Sequence, residues 1–244
     1  MRRRVIEKWS AVVSWCFQPA QGGSIEAIDD SKCLLRQALK RRSSLLASLN
    51  CDGLWGLALL ACLGALAALA CGGLRLTVAL RYERAAIAHG EWWRLATGHW
   101  VHLGWHHLLA DAAGLVLLWM LYARELSPRA WLLVLACSTA AIDAGLWWGE
   151  PSLQWYVGVS GLLHGAWAAG AAAGAFRRDK QGVALLALLA IKLILEQRSG
   201  ASLLVSGFPV VTMAHVYGAL GGLLAAIIRR AFYFPLEPGS GLKT

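Results

Sequence analysis

Ser160 and His215 are polar side chains placed inside long apolar runs, where a polar group is costly and usually has a reason to be there. Ser160 stands in Gly158-Val159-Ser160-Gly161, and His215 in Ala214-His215-Val216-Tyr217-Gly218, with Gly221 and Gly222 following. A serine hydroxyl becomes a useful nucleophile when a neutral imidazole takes its proton, so a meeting of these two side chains would make an activated nucleophile. Taken singly, each has a plainer reading: Ser160 as a helix N-cap, and His215 as a structural hydrogen-bonder. The glycines favour the joint reading. Gly161/Gly165 and Gly170/Gly174 on one segment and Gly218/Gly222 on the other form small-xxx-small faces, which let two helix backbones approach closely and would carry the imidazole to the hydroxyl. A helix beginning at Ser160 would also set its positive end beside a developing oxyanion. His164, four residues after Ser160, shares its helical face and is expected to stack on or orient His215. Leu162 stands where a G-x-S-x-G elbow requires glycine, which excludes an α/β-hydrolase turn. No carboxylate is recognised at a position to complete a triad, so a Ser160–His215 dyad is expected.

A second polar group, His99, His102, His106 and His107, raises the question of zinc. It lacks H-E-x-x-H, and neither cysteine nor a second acidic cluster completes a ligand set, so no metal and no cofactor is expected. The six cysteines form no CxxC pair, and no disulfide is assigned to them.

These residues need helices to position them. The chain has 244 residues, 58% of them hydrophobic and 15% charged, with a mean hydropathy of +0.53. That is the composition of an all-α polytopic membrane protein. Six apolar runs read as spans: Leu54–Leu74, His106–Ala123, Ala130–Trp148, Ser160–Phe176, Val183–Leu195 and Val210–Ile228. They divide the chain into a basic polar extension (1–50), a membrane domain (51–234) and a short tail (235–244). With the N-terminus inside, the inner segments hold 17 Lys/Arg and the remainder 6. This asymmetry places both termini in the cytoplasm. Seven of the thirteen Trp residues fall in or beside the two outer loops, as an interfacial belt requires. The net charge of +9 is drawn largely from residues 1–50 and from short loops, so it calls for no nucleic-acid partner. Within the extension, Lys32–Arg42 is read either as a basic amphipathic helix on an anionic leaflet or as disordered chain. In this topology His107, Ser160 and His215 all lie at similar depth below the outer surface.

Four ordered motifs over about residues 92–225 resemble the rhomboid protease family. Glu91-Trp92-Trp93-Arg94 looks like its W-R loop, His107-Leu108-Leu109-Ala110-Asp111 its H-x-x-x-N, Gly158-Val159-Ser160-Gly161 its G-x-S-G, and Ala214-His215-x-x-Gly218-x-x-x-Gly222 its A-H-x-x-G-x-x-x-G. The wording GEWWRLATGHWVHLGWHHLL, with SGLLHG, is closer still to rhombosortase, the bacterial subfamily paired with C-terminal Gly-Gly sorting tails.

The resemblance implies a six-helix membrane bundle in the bacterial inner membrane. In it Ser160 attacks the scissile carbonyl, His215 takes and returns the proton, and the Ser160 N–H, His107 and residue 111 stabilise the oxyanion. It also implies a substrate with a Gly-Gly motif, a single transmembrane helix and a basic tail. Residue 111 departs from the family, being Asp111 where asparagine is the rule. A carboxylate repels an oxyanion, so Asp111 must be neutral, turn away, or lower the activity. The competing readings are an inactive rhomboid-like protein that binds membrane helices, and a small-solute transporter, for which no inverted repeat is evident.

Overall fold

The computed structural model describes residues 45–199 and 210–233. The stretch Lys32–Arg42 and the tail 235–244 lie outside them. The described chain runs α1 (Gly53–Cys71), α2 (Gly73–Leu80), β1 (Tyr82–Glu83), α3 (Arg84–Ala88), α4 (Trp93–Thr97), α5 (Trp105–Tyr122), α6 (Pro128–Ala144) with a π-turn at Gly145–Gly149, β2 (Trp155–Tyr156), α7 (Ser160–Phe176), α8 (Lys180–Ser199) and α9 (Thr212–Tyr233). Among the described residues, three segments are long and apolar enough to cross a membrane: α1, Pro128–Gly149 and Thr212–Phe232.

One expected boundary is corrected. The run expected to be Val183–Leu195 is a helix over Lys180–Ser199. Apolarity undershoots its length because Lys192 and Glu196, one helical turn apart, satisfy each other at 2.5 Å, so the helix continues through charged residues. The structure is mostly helical, as expected, and adds a small antiparallel ladder that pairs Tyr82 with Tyr156 and Glu83 with Trp155.

Side-chain size decides which helices are central. In α1 only Leu59 and Leu66 are buried, while leucines such as Leu54 and Leu60 project outward. A helix that is apolar all round and exposed has a hydrocarbon surface to meet lipid. α7 is the opposite case, with twelve of its 17 residues buried and most of them Ala or Gly. It packs against α5, α6, α8 and α9. Against α9 the contact is backbone on backbone. A methyl at Gly218 would overlap the carbonyl oxygen of Gly161, and one at Gly222 would overlap that of Gly165. Gly221 meets α6 in the same way, at Cys137 and Ser138. α6 itself starts at a Ser127 N-cap, whose hydroxyl accepts from the Ala130 N–H at 3.3 Å, followed by Pro128 at the first helical position.

The segment between α2 and α5 is tied to the chain just before Ser160. The Arg84 guanidinium donates to the carbonyls of Leu146, Trp147, Glu150 and Leu153 and lies over the Trp147 ring. Arg94, the arginine of the W-R motif, pairs with Glu91 at 2.6 Å and donates to the carbonyls of Val78 and Arg81. His99 bonds Asp143 of α6 at 3.2 Å. Together with the β1–β2 ladder, these bonds fix where β2 delivers the chain to the start of α7.

Candidate active site

α7 begins at Ser160, and the capping position is held by Val159, with no side-chain cap. The N-cap reading of Ser160 is therefore displaced by one residue. Its hydroxyl is directed to α9, where Oγ lies 2.9 Å from His215 Nε2. As the first helical residue, Ser160 has a backbone N–H with no acceptor inside the helix.

His215 is nearly inaccessible, and its second nitrogen, Nδ1, lies 2.9 Å from Glu196 Oε2. A carboxylate only accepts, so Nδ1 carries the proton and Nε2 is left as the acceptor for the serine hydroxyl. The sequence offered no carboxylate at a position beside His215, and the structure places Glu196 there. It was missed because it lies one residue beyond the span drawn to Leu195, and the helix in fact continues to Ser199.

The remaining polar atoms form a connected set. Glu196 Oε1 accepts from Lys192 Nζ at 2.5 Å, and the same ammonium lies 2.9 Å from His164 Nε2. His164 Nδ1 donates to the Ser160 carbonyl at 2.7 Å, which leaves its Nε2 as the acceptor for the ammonium. The His164 ring stacks on that of His215, with centroids 4.1 Å apart and planes 11° from parallel. Ligand atoms of His164, Glu196 and His215 lie within 4.8 Å of one another, a spacing that could hold a metal ion. The Lys192 ammonium already engages two of these three residues as the local cation.

Beside Ser160, the chain passes through Gly158 at φ +116°, a conformation open to glycine and strained for a side chain. A methyl there would also stand 2.9 Å from His107 Nε2 and 3.6 Å from Asp111 Oδ2. Gly161 is packed under Ala214 of α9 in the same fashion. Buried Tyr156 donates its hydroxyl to the Gly158 carbonyl at 2.8 Å, and burial, with Asp111 nearby, pushes that phenol far above its usual range and keeps it a donor. His107 and Ser160 line a narrow cleft with Trp155, Val157, Val210 and Val211. Asp111 neither turns away from this region nor stands alone. Its Oδ2 lies 3.1 Å from His102 Nε2 and 3.5 Å from His107 Nε2.

Three participants were not given these roles in the sequence: Glu196, Lys192, and His102, which was weighed there only as part of a zinc group. The first two had a signal, because an i,i+4 pair of opposite charges inside an apolar run is an intramembrane ion pair by default. His102 had none, since its nine-residue separation from Asp111 spans a loop whose course local sequence does not dictate.

A Rhomboid domain matches residues 89–232, more than half of the chain and the elements just described from α4 to all but the last residue of α9. "Putative rhomboid protease YdcA" of Bacillus subtilis (strain 168) is 30% identical over 146 residues, which cover 58% of this chain and 69% of that protein. The matched span contains each of the four motifs, and the chain is a member of the rhomboid family.

Proposed function

We propose that this protein is an intramembrane serine endopeptidase with Ser160 as nucleophile and His215 as base. The observation that supports it most directly is the 2.9 Å contact between Ser160 Oγ and the nitrogen of His215 that is free to accept a proton. As Oγ adds to the scissile carbonyl, its proton passes to Nε2. The carbonyl oxygen becomes an oxyanion beside the Ser160 N–H and the His107 ring. Collapse of the adduct expels the amine, which takes the proton back from Nε2, and leaves an acyl-serine. Water then adds to the acyl carbon with the same imidazole as base, releasing the carboxylate and restoring the hydroxyl.

In this reading α1, α5, α6, α7, α8 and α9 all span the bilayer, with both termini cytoplasmic, and the dyad lies just below the outer face. The substrate is a membrane protein whose single helix ends in a basic tail and is preceded by small, Gly-rich sequence. Glycine unwinds from a helix at a cost of about 1 kcal/mol less than alanine, and it presents the least bulk to a narrow cleft. The Gly-Gly preference rests on the rhombosortase resemblance, in the setting of a bacterial inner membrane. Coexpression with a tailed reporter tests both levels. Processing that is lost in Ser160→Ala and reduced when the glycine pair is replaced by leucines is the expected result. Equal processing of both reporters overturns the subfamily reading, and absence of labelling by a fluorophosphonate overturns the protease reading in favour of a non-catalytic helix-binding protein.

A further inference from the structure

Glu196 and Lys192 take no part in the chemistry just described, yet they lie among the most enclosed charged groups of the fold. Glu196 is fully buried, and the side chain of Lys192 is 13% exposed. Removing two charges from solvent carries a penalty of several kcal/mol per ion, so a pair retained in such a place invites a reason beyond stability. The geometry supplies one. The two oxygens of Glu196 are divided between two partners, Oε1 to Lys192 Nζ at 2.5 Å and Oε2 to His215 Nδ1 at 2.9 Å. Lys192 in turn reaches His164, whose ring lies flat against that of His215 and whose Nδ1 holds the Ser160 carbonyl.

We propose that Glu196 is a positioning residue that completes a Ser160–His215–Glu196 triad, and that Lys192 locks the carboxylate in place. This rests on the protease reading above. The carboxylate does not touch the reacting atoms. It holds the His215 proton on Nδ1, so that Nε2 is always the acceptor facing Ser160, and it faces the imidazolium formed when Nε2 takes the serine proton. The groups around His215 are Ser160 and His164 from α7, Glu196 from α8 and, through His164, Lys192. Glu196 is the one among them that brings an acceptor to Nδ1.

The isosteric change Glu196→Gln separates this role from mere packing. With its amide oxygen held by the Lys192 ammonium, a glutamine presents its NH2 to Nδ1, which puts the imidazole proton on Nε2 and removes the base. Fluorophosphonate labelling of the purified full chain reads the nucleophile without any need for substrate. In Glu196→Gln the labelling rate and kcat for a reporter are expected to fall by about 10²–10⁴-fold with KM little changed, as loss of the correct tautomer does in other serine hydrolases. Glu196→Asp, which keeps an acceptor on a shorter arm, is expected to recover part of the rate.

Because Glu196→Gln also leaves the charge of the Lys192 ammonium uncompensated, the double variant Glu196→Leu/Lys192→Met decides between the two effects. It removes both charges of the pair and leaves Nδ1 with no acceptor, and it is expected to stay as slow as Glu196→Gln with a thermal midpoint near that of the parent. Should Glu196→Gln alone unfold, the folded double variant carries the comparison. Recovery of labelling in the double variant, or a wild-type rate in Glu196→Gln, overturns the triad. If the parent chain itself fails to label, it is the protease reading that falls.

Discussion

Gly218→Ala tests whether the α7–α9 seam sets the distance between nucleophile and base. The added methyl would overlap the carbonyl oxygen of Gly161 and stand 2.7 Å from its carbon and 3.2 Å from its Cα. All three atoms are backbone, so no rotamer change relieves the contact. A carbon sits comfortably against a carbonyl oxygen only at about 3.3 Å or more, and α9 must therefore withdraw locally by on the order of 1 Å. His215 lies three residues earlier on the same helical face. An equal displacement there takes its 2.9 Å contact with Ser160 outside hydrogen-bond range. Misplacement of a reacting group by about 1 Å costs about 10²-fold in rate.

Stability should respond less than activity. Overpacking costs about 1–3 kcal/mol, and replacing a helical glycine by alanine returns up to about 1 kcal/mol. The expected outcome is a folded, slightly destabilised protein whose fluorophosphonate labelling and reporter cleavage fall about 10²-fold in detergent. Gly64→Ala is the control: nothing stands within 4 Å of a methyl at that position, so its rate should be unchanged and its thermal midpoint equal or higher. A Gly218→Ala protein that cleaves within about threefold of the parent would refute the argument that close helix approach holds the catalytic geometry.

Ser160→Ala and His215→Ala should each abolish cleavage, and the double variant should be no worse than either, because one nucleophilic unit fails as a whole; single-turnover assays on the three purified proteins check this. Asp111→Asn should keep or raise kcat, since an amide can donate to the oxyanion where a carboxylate cannot; a large drop would mean that the carboxylate is required as the acceptor of His102. His102→Ala is accordingly expected to lower kcat in the parent and to have a smaller effect in the Asp111→Asn background, measured as a double-mutant cycle. Arg84→Ala removes the donor to four carbonyls around the π-turn and β2; it should cost at least about 2 kcal/mol in unfolding free energy, and an unchanged denaturation curve would dismiss its structural role.

What was legible in the sequence followed from strong periodic signals and from glycine spacing. α7 starts and ends where its apolar run does, because no charged residue interrupts it from Ser160 to Phe176 and Arg177 follows at once. The spacing of Gly218 and Gly222 pointed to a close seam with α7, and the structure sets both against carbonyls of that helix. Less could be read where polar groups neutralise one another. Glu196 ended the apparent fifth run at Leu195, although Lys192 lay inside it, and the shortened run concealed the partner of His215. The β1–β2 ladder was invisible for another reason: two residues per strand carry no alternation to detect, and their pairing depends on contacts across more than seventy positions. His102 and Asp111 illustrate the same limit, since their hydrogen bond is a product of how the loop before α5 folds back.

In the proposed mechanism the two carboxylates of the site stand on opposite sides of the charge separation, and their surroundings differ. Proton transfer from Ser160 leaves positive charge on His215 and negative charge on the substrate oxygen. Glu196 is on the imidazolium side, where negative charge is favourable. Asp111, beside His107 and Gly158, is on the oxyanion side. An uncompensated carboxylate about 4 Å from an oxyanion would oppose it by about 4 kcal/mol at an effective dielectric constant near 20. That is about the whole contribution of one oxyanion-hole donor, some 3–4 kcal/mol. The 3.1 Å bond from His102 Nε2 to Asp111 Oδ2 places a donor on the carboxylate and draws its charge away from the cleft. An aspartate is therefore compatible with catalysis here as one half of a His102–Asp111 unit, just as a buried glutamate is tolerable on α8 because Lys192 and His215 share it.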